Sequence, residues 1–539
     1  MYVVEVDDRI FILDAGLKYP SVDLYGIDAV IPDFSYLVEN KHRVQGILLS
    51  HGHEDHIGAV SEVLKQLNVG VFGTHFTISV LEDTLQEEGL KLADYRLYRI
   101  NEDKVMKFGN VSVYFYNVNH SIPETINIAI KTDDGAIVYA PDFNFDVSSD
   151  DRYRTSFNKI SEISRGGVLA LLSESLGTLN INRSSSDFTM RHIINEVLQT
   201  NQKRIIFSTF SSDLSRIQNI INISVENNRR IAIIGRKAQK IVNIAMNSGY
   251  LAIPNDRLVN LKYIDDKNTN DDDDLVVIVT GTRHEPFYML QRMCRQQDRL
   301  ISIKANDQVV IVTPPVPGTE KMAARTIDIL YKNGAKVLEV SKNNLKSSHA
   351  DPDDLKMLYS MLNPKYIVPV IGEYRHQYTQ KNVALHAGFP EERIIILENG
   401  EVANFIDGVY TKGKEKVANG DVLVDGSMVG DINEIVLRDR EMLAQEGLVI
   451  VTIAVNQAQH RIVSDPVVVS KGLIISDSLD IINDNVAEIT YNIVSDALKK
   501  NYIDWSAVKG DLHDKISKKL YGLTKKNPII MPTIINITQ

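Results

Sequence analysis

One cysteine, Cys294, stands in a chain of 539 residues, which excludes a disulfide framework or a cysteine-based zinc finger and suits a reducing compartment. No apolar run is long enough to span a bilayer, and Met1 is not followed by the charged, apolar and small-residue succession of a secretory signal. The expected location is the cytoplasm, with no membrane partner. Positive charge is also in deficit, the net charge being −11. That argues mildly against a polyanionic partner, but metal-site and surface carboxylates can set the total while a local basic groove binds phosphate. The length exceeds what one core can fill, so about two to four domains are expected.

Histidine is sparse, at thirteen residues, yet three fall within six positions of the stretch GILLSHGHEDHIGAVSEVL, residues 46 to 64. An apolar β-type run ends there in a polar cluster and continues as a helix. His51, His53, Asp55 and His56 place three neutral nitrogen donors and a carboxylate in one turn, the donor mix that Zn²⁺ or Mn²⁺ takes. Gly52 is expected to let the turn be tight, and Gly58 to let the helix start close to it. The competing reading is a solvated loop that happens to be rich in histidine.

Residues 1 to 180 alternate short β-branched runs with polar turns and helical patches, as an α/β sandwich does. YVVEV and IFILDAG read as a hairpin around Asp7 and Asp8; GILLS, VSVYFYNV, GAIVYAPDF and GVLALLSES are further strands ending in polar residues. His120 and Asp142 follow two of these strands. Either alone reads as a turn or cap residue; together they are candidates to complete the cluster. Asp14 reads as a partner that orients an imidazole, or simply as a turn carboxylate.

From about 182 to 345, four apolar runs (RIIFST, RIAIIG, LVVIVTG, QVVIVTPP), read as each ending in Ser, Thr or Gly before a helix, predict a parallel sheet with loops gathered on one edge. Because KYIVPVIGEYRH and RIIILENGEVANF return to the style of the start, this sheet is read as an insertion. The acidic stretch DDKNTNDDDD, residues 265 to 274, is expected to be a solvated loop. Residues 406 to 446 read as a connecting region. From Gly447 a small α+β unit follows, with lysine-rich helices and little core of its own expected. Those lysines read as a solvated face, or else as an assembly or RNA contact.

The cluster His51 to His56, His120, Asp142, LLSES, the inserted sheet, SSHADPDDLK and VPVIGEYRH together resemble the β-CASP branch of the metallo-β-lactamase superfamily, and within it the ribonuclease J family, over essentially the whole chain. The resemblance implies an αββα metallo-β-lactamase sandwich (residues 1 to 180 and 346 to 405), an inserted β-CASP domain (181 to 345), a linker (406 to 446) and a C-terminal α+β assembly domain (447 to 539). It implies His51, His53 and His120 as ligands of one metal, and Asp142 as a bridge to a second metal on Asp55 and His56. Glu174 takes the place of the family's acid beside the site, and His349 that of the histidine on the scissile phosphate, so that Asp55, Glu174 and His349 are the catalytic candidates. Ser211, Ser212, Ser347 and Ser348, with His349, match a pocket for a 5′-monophosphate. The loops TGTRHEP and PPVPG match segments lining a nucleic-acid channel.

The sequence departs from the family in three places. HGEYR reads IGEYR here, so the last ligand position of the second metal is Ile371, which has no lone pair; rescue by His376 would require unwinding the residues between. The glycine before the bridging aspartate is Pro141, which stiffens that turn and removes an amide donor. The family's opening strand and glycine-rich turn precede the position of Met1. These departures are similar to those of the less active of the ribonuclease J paralogues of Gram-positive bacteria, which works beside a sister subunit. The resemblance implies a metal-dependent 5′-to-3′ exoribonuclease with some endonuclease capacity, Zn²⁺ or Mn²⁺ in up to two sites with the second weak, single-stranded RNA as substrate, and a homodimer or hetero-oligomer with the sister subunit. The alternative is a largely inactive structural partner of a catalytic homologue. A lactamase-like hydrolase of small molecules leaves the insert unexplained.

Overall fold

The computed structural model describes the whole chain except residues 22–23, 181–185, 236–237, 260–272, 283, 317, 427, 431–433, 474–478 and 538–539. Two compact units result, one of Met1–Lys18 with Ile31–Asp421, the other of Tyr19–Val30 with Val422–Gln539.

In the first unit the hairpin Tyr2–Val6/Arg9–Leu13 opens a five-stranded sheet that continues through Val44–Leu48, Val71–Gly73 and Leu97–Arg99. A six-stranded sheet runs in the order Tyr366–Val370, Val168–Glu174, Gly135–Ala140, Ile126–Thr132, Val111–Asn117, Met106–Phe108. Alternation along the strands explains the layering. Phe11 and Leu13 of the first sheet share one core with Val113, Phe115, Ile128 and Val368 of the second. The opposite face of the second sheet, through Tyr116, Val138 and Ile367, packs on Ile160, Leu355, Leu358 and Val383 of three helices. Helices, two sheets and helices make the expected αββα sandwich.

The chain leaves this sandwich after Val168–Glu174 and returns at Tyr366–Val370, which pairs parallel to the same strand. Between them lies the inserted sheet, in the order Arg230–Ile234, Leu275–Gly281, Ile205–Phe210, Gln308–Ile311, Lys336–Glu339, parallel throughout. Four of these strands are the apolar runs read from the sequence. The fifth, Lys336–Glu339, is an edge strand with no fully buried side chain, and only Val337 and Leu338 of its four residues are apolar. RIIIL differs in the other direction: it starts in a 3₁₀ turn, Glu391–Arg393, and among the described residues contributes only an isolated bridge, Ile367 to Ile394. Most of the acidic stretch, residues 265 to 272, lies outside the described residues, as do Arg283 and Pro317 of the two channel loops.

The stretch 406–446 is more structured than a connecting region. It holds the second strand of the hairpin Ala403–Ile406/Val409–Lys412, the paired strands Asp421–Asp425 and Met428–Val429, and the helix Glu434–Glu446. The second unit is built on the sheet Arg461–Lys471, Leu448–Asn456, Ile529–Asn536 and the helices Leu479–Leu498 and Trp505–Thr524. Val449, Val451, Ile453 and Val455 lie almost wholly buried against Val486, Leu512, Ile516 and Leu520. At about 1.5–3 kcal/mol for each such side chain, one strand face alone contributes several kcal/mol. The expectation of little core is corrected: this unit has its own.

Candidate metal centre

The turn after Val44–Leu48 is pinned from below by the turn after Arg9–Leu13. The N–H groups of Ala15 and Leu17 donate to the carbonyls of His56 (2.8 Å) and Glu54 (3.1 Å), and that of Ala59 donates to Ala15 (2.8 Å). So close is this approach that a Cβ on Gly16 would stand 1.5 Å from the Asp55 carbonyl oxygen. The site therefore depends on Gly16, and also on Gly58, where a Cβ would stand 2.5 Å from the Glu54 carbonyl oxygen and from Leu17. A Cβ on Gly52 would meet nothing nearer than 3.5 Å, so the tight turn assigned to Gly52 is not what positions the histidines.

Hydrogen bonds lock the proton of each imidazole on the side away from its neighbours. His53 Nε2 faces the Ser212 carbonyl at 3.2 Å and His120 Nδ1 the Ser348 carbonyl at 2.8 Å. A carbonyl only accepts, so both nitrogens carry the proton. Ser50 Oγ donates to Asp14 Oδ2 at 2.7 Å and thus accepts from His51 Nδ1 at 2.9 Å. What remains are the lone pairs of His51 Nε2, His53 Nδ1 and His120 Nε2, and these point together, His53 Nδ1 standing 3.0 Å from the first and 3.3 Å from the last. Asp142 Oδ2 closes the group at 3.3 Å from His51 and 3.6 Å from His120. Bare lone pairs this close repel unless a cation lies among them, and these four residues offer atoms close enough for one ion. The donor set fits a divalent metal such as zinc.

Burial pushes the pKa of all three imidazoles down, to about 4 for His53, where the neighbouring His51 adds to the effect. They are neutral donors. His56 differs. Its Nδ1 donates to Asp14 Oδ2 at 2.8 Å, while Nε2 lies 3.2 Å from Asp142 Oδ2 and 3.7 Å from Asp55 Oδ2. Burial opposes its charge, but Asp142, Asp55 and Asp14 outweigh burial and hold its pKa well above the ordinary value. A second cation on Asp55, His56 and Asp142 must displace that proton. Asp55 itself is solvent-exposed.

Beside the cluster, His349 Nδ1 lies 2.8 Å from Glu174 Oε2 and 3.4 Å from Asp142 Oδ1. Burial works against its imidazolium, but the two carboxylates raise its pKa well above the usual value. Glu174 is buried, which pushes its carboxyl up, and its Oε1 accepts the N–H groups of Phe143 (2.8 Å) and Ala350 (3.0 Å). Asp142 Oδ1 is buried without a hydrogen bond among the described residues.

The serines divide. Ser211 Oγ is buried with no hydrogen-bond partner among the described residues, whereas Ser212 and Ser348 touch the cluster through their carbonyls. Ser347 Oγ is spent within its own loop, donating to the His349 carbonyl (3.0 Å) and accepting its N–H (3.1 Å). Its hydroxyl proton is thus not offered to a phosphate. Lys346 anchors the same loop on Ser149 (2.7 Å), Asp187 (2.8 Å) and Asp146 (3.3 Å). His376 is removed from the question of rescue: its Nδ1 accepts the Glu373 N–H at 3.1 Å and caps the helix Tyr374–His386.

Three positioning residues escaped the sequence reading. Ser50 ends an apolar run, a faint signal. Tyr139, whose hydroxyl donates to Asp14 at 3.0 Å, and Tyr2, whose hydroxyl accepts the Ile371 N–H at 2.7 Å, act across long sequence separations and leave none.

Four family models match the chain in succession: a beta-lactamase superfamily domain over residues 13–158, the beta-CASP domain of ribonuclease J over 202–330, a Zn-dependent metallo-hydrolase RNA specificity domain over 337–393, and the ribonuclease J C-terminal domain over 435–537. The chain is 35% identical over 538 residues to ribonuclease J 2 of Staphylococcus aureus (strain MRSA252), across 100% of this chain and 96% of that one. It is 35% identical over 537 residues, with the same coverage, to ribonuclease J 2 of Staphylococcus epidermidis. A solved structure of a protein of unknown function from Enterococcus faecalis V583 is similar at a TM-score of 0.47 and 14% identity, over 68% of this chain and 89% of that one. Among the described residues no helix is long and apolar enough to cross a membrane.

Proposed function

This chain belongs to the ribonuclease J family, and from that premise we propose that it is a metal-dependent exoribonuclease acting 5′ to 3′ on single-stranded 5′-monophosphate RNA, with some endonuclease capacity and low activity on its own. The observation that carries the reading is the convergence of three bare imidazole lone pairs on Asp142. His51, His53, His120 and Asp142 would hold the first cation, and Asp55, His56 and Asp142 a weaker second, since Ile371 offers no lone pair. When bound, Zn²⁺ or Mn²⁺ supplies a nucleophile at neutral pH and neutralises charge developing on the phosphate.

The chain's own residues do the rest. Glu174 holds the Nδ1 proton of His349 and so turns its Nε2, on a side chain 34% exposed, toward the scissile phosphate. As an imidazolium it donates a proton to the departing 3′ oxygen. The buried Ser211 hydroxyl supports a terminal phosphate pocket, with the loop 346–349 as its other wall. Such a pocket fixes the cut one nucleotide from the end, and unpaired bases are what a threading channel admits. The test is the product and the end preference: wild-type protein should release mononucleotides from 5′-monophosphate RNA faster than from 5′-hydroxyl RNA, and Ser211→Ala should narrow that difference. Equal rates on both ends in the wild type would overturn the pocket.

Ile371 favours a second reading, in which the chain chiefly binds and supports a catalytic ribonuclease J sister subunit through the C-terminal unit, itself forming a homodimer in its absence. An inert protein that nonetheless raises the sister's activity on mixing would establish it.

A further inference from the structure

At one end of the C-terminal unit, the turn between Leu448–Asn456 and Arg461–Lys471 meets the loop between the helices Leu479–Leu498 and Trp505–Thr524 and the end of the strand Ile529–Asn536. An open pocket of about 370 Å³ lies there, lined by Gln457, Ala458, His460, Asn501, Ile503 and Asn536.

Hydrogen bonds fix what this pocket presents. The indole N–H of Trp505 only donates, and it donates to Gln457 Oε1 at 3.2 Å, so the Gln457 amine points elsewhere as a donor. Asn536 Oδ1 accepts the Gln457 main-chain N–H at 3.1 Å, which fixes its amine in the same way. His460 Nδ1 lies 2.6 Å from the Leu498 carbonyl, an acceptor only. The proton is therefore on Nδ1, and Nε2 keeps its lone pair. Two oriented amide donors, an imidazole acceptor and the versatile amide of Asn501 make a pattern complementary to the edge of a nucleobase.

The surroundings match the rest of a polynucleotide. Tyr502, adjoining Asn501, is 84% exposed, far more than a buried anchor and well placed for stacking. Lys499, Lys500 and Arg461 are exposed at the same end. Between residues 498 and 526 stand eight lysines against three aspartates, although the chain as a whole is acidic. We propose that this pocket is an accessory site for an unpaired base of single-stranded RNA, with Tyr502 stacking on a neighbouring base and Lys500 and Arg461 meeting phosphates. The proposal rests on the ribonuclease reading for its ligand class and adds a contact remote in sequence from the metal cluster.

The test uses the full chain. Binding of a 5′-hydroxyl RNA of about 25 nucleotides is measured by fluorescence anisotropy for wild type and Asn501→Ala/Tyr502→Ala, beside cleavage of a 5′-monophosphate tetranucleotide. Loss of one stacked base and its hydrogen bonds should raise Kd for the long RNA at least about fivefold, with tetranucleotide cleavage unchanged. Lys500→Ala should lower the slope of log Kd against log salt by about 0.7. Unchanged binding of the long RNA overturns the site, as does a fall in sedimentation mass in place of lost RNA binding, which would mark a protein interface. A wild-type protein inert on the tetranucleotide counts against the ribonuclease reading and leaves the binding comparison to decide the pocket.

Discussion

The main-chain N–H of Ile371 donates to the phenol oxygen of Tyr2 at 2.7 Å, across 369 residues of sequence. The carbonyl of Ile371 accepts the N–H of Ser175 at 3.1 Å. Between these two bonds the residue is held at φ +50°, a conformation that costs a β-branched side chain about 1–3 kcal/mol. The position keeps a demanding backbone geometry although its side chain has no lone pair to give.

Tyr2→Phe should therefore destabilise the fold by about 1–3 kcal/mol, because it leaves the Ile371 N–H without its partner. The urea midpoint reads this directly. Metal affinity of the His51, His53, His120 and Asp142 group should stay as it is, since Tyr2 makes no hydrogen bond to those four residues. An unchanged midpoint would mean that the Tyr2 bond holds nothing.

Asp14 accepts from Ser50 Oγ, His56 Nδ1 and Tyr139 Oη, and through them fixes the proton positions of His51 and His56. Asp14→Ala should cost about 10–100-fold in metal affinity, measured by competition with a chelator. Loss of less than twofold would show that the imidazoles hold their tautomers unaided.

The His-x-His-x-Asp-His cluster was legible because ligand residues crowd into one turn, and most strands of the sandwich, of the inserted sheet and of the C-terminal sheet because buried strands are apolar throughout or alternate. What the sequence could not disclose depends on contacts made at a distance. The turn 14–17 supports the cluster through Gly16, which in sequence looks like any other loop glycine, while the adjacent Gly52 attracts notice and is not required. Ser347 and Ser211 look alike as hydroxyls beside candidate ligands. Only their surroundings separate a hydroxyl spent on its own loop from one buried without a hydrogen-bond partner among the described residues. The edge strand Lys336–Glu339 has no fully buried side chain, and a buried face is what a strand signal consists of.

Acid should weaken the loop that carries His349. Burial raises the Asp146 carboxyl, but Lys346 and the hydrogen bonds from Ser148 and Asp187 outweigh it, and its pKa falls below 3.8. A depressed carboxylate contributes stability that is present above its unfolded pKa and lost as pH falls through the folded one. Asp146→Asn should accordingly be less stable than wild type at pH 7 by about 1–3 kcal/mol. The gap should close as pH falls below about 4, followed by urea unfolding from pH 7 to 3. A gap constant with pH would contradict the ion pair with Lys346.

The C-terminal unit has its own core, so a chain ending at Glu446 should retain the metal cluster and lose assembly. Sedimentation at dilute concentration should show monomers for the shortened chain and larger species for the full one. A shortened chain that stays dimeric would place the interface elsewhere.

The most direct measurement is a Mn²⁺ titration of the wild type and Ile371→His, with bound metal and mononucleotide release from 5′-monophosphate RNA recorded together. The wild type should hold one firm cation on His51, His53, His120 and Asp142 and show slow release that rises with Mn²⁺. Ile371→His should add the second cation and raise the rate about a hundredfold to a thousandfold, the scale on which one preorganised stabiliser of transition-state charge acts. A protein that binds no metal at about millimolar Mn²⁺, a level at which even weak sites fill, and stays inert after Ile371→His would contradict the enzyme and leave the supporting subunit in its place.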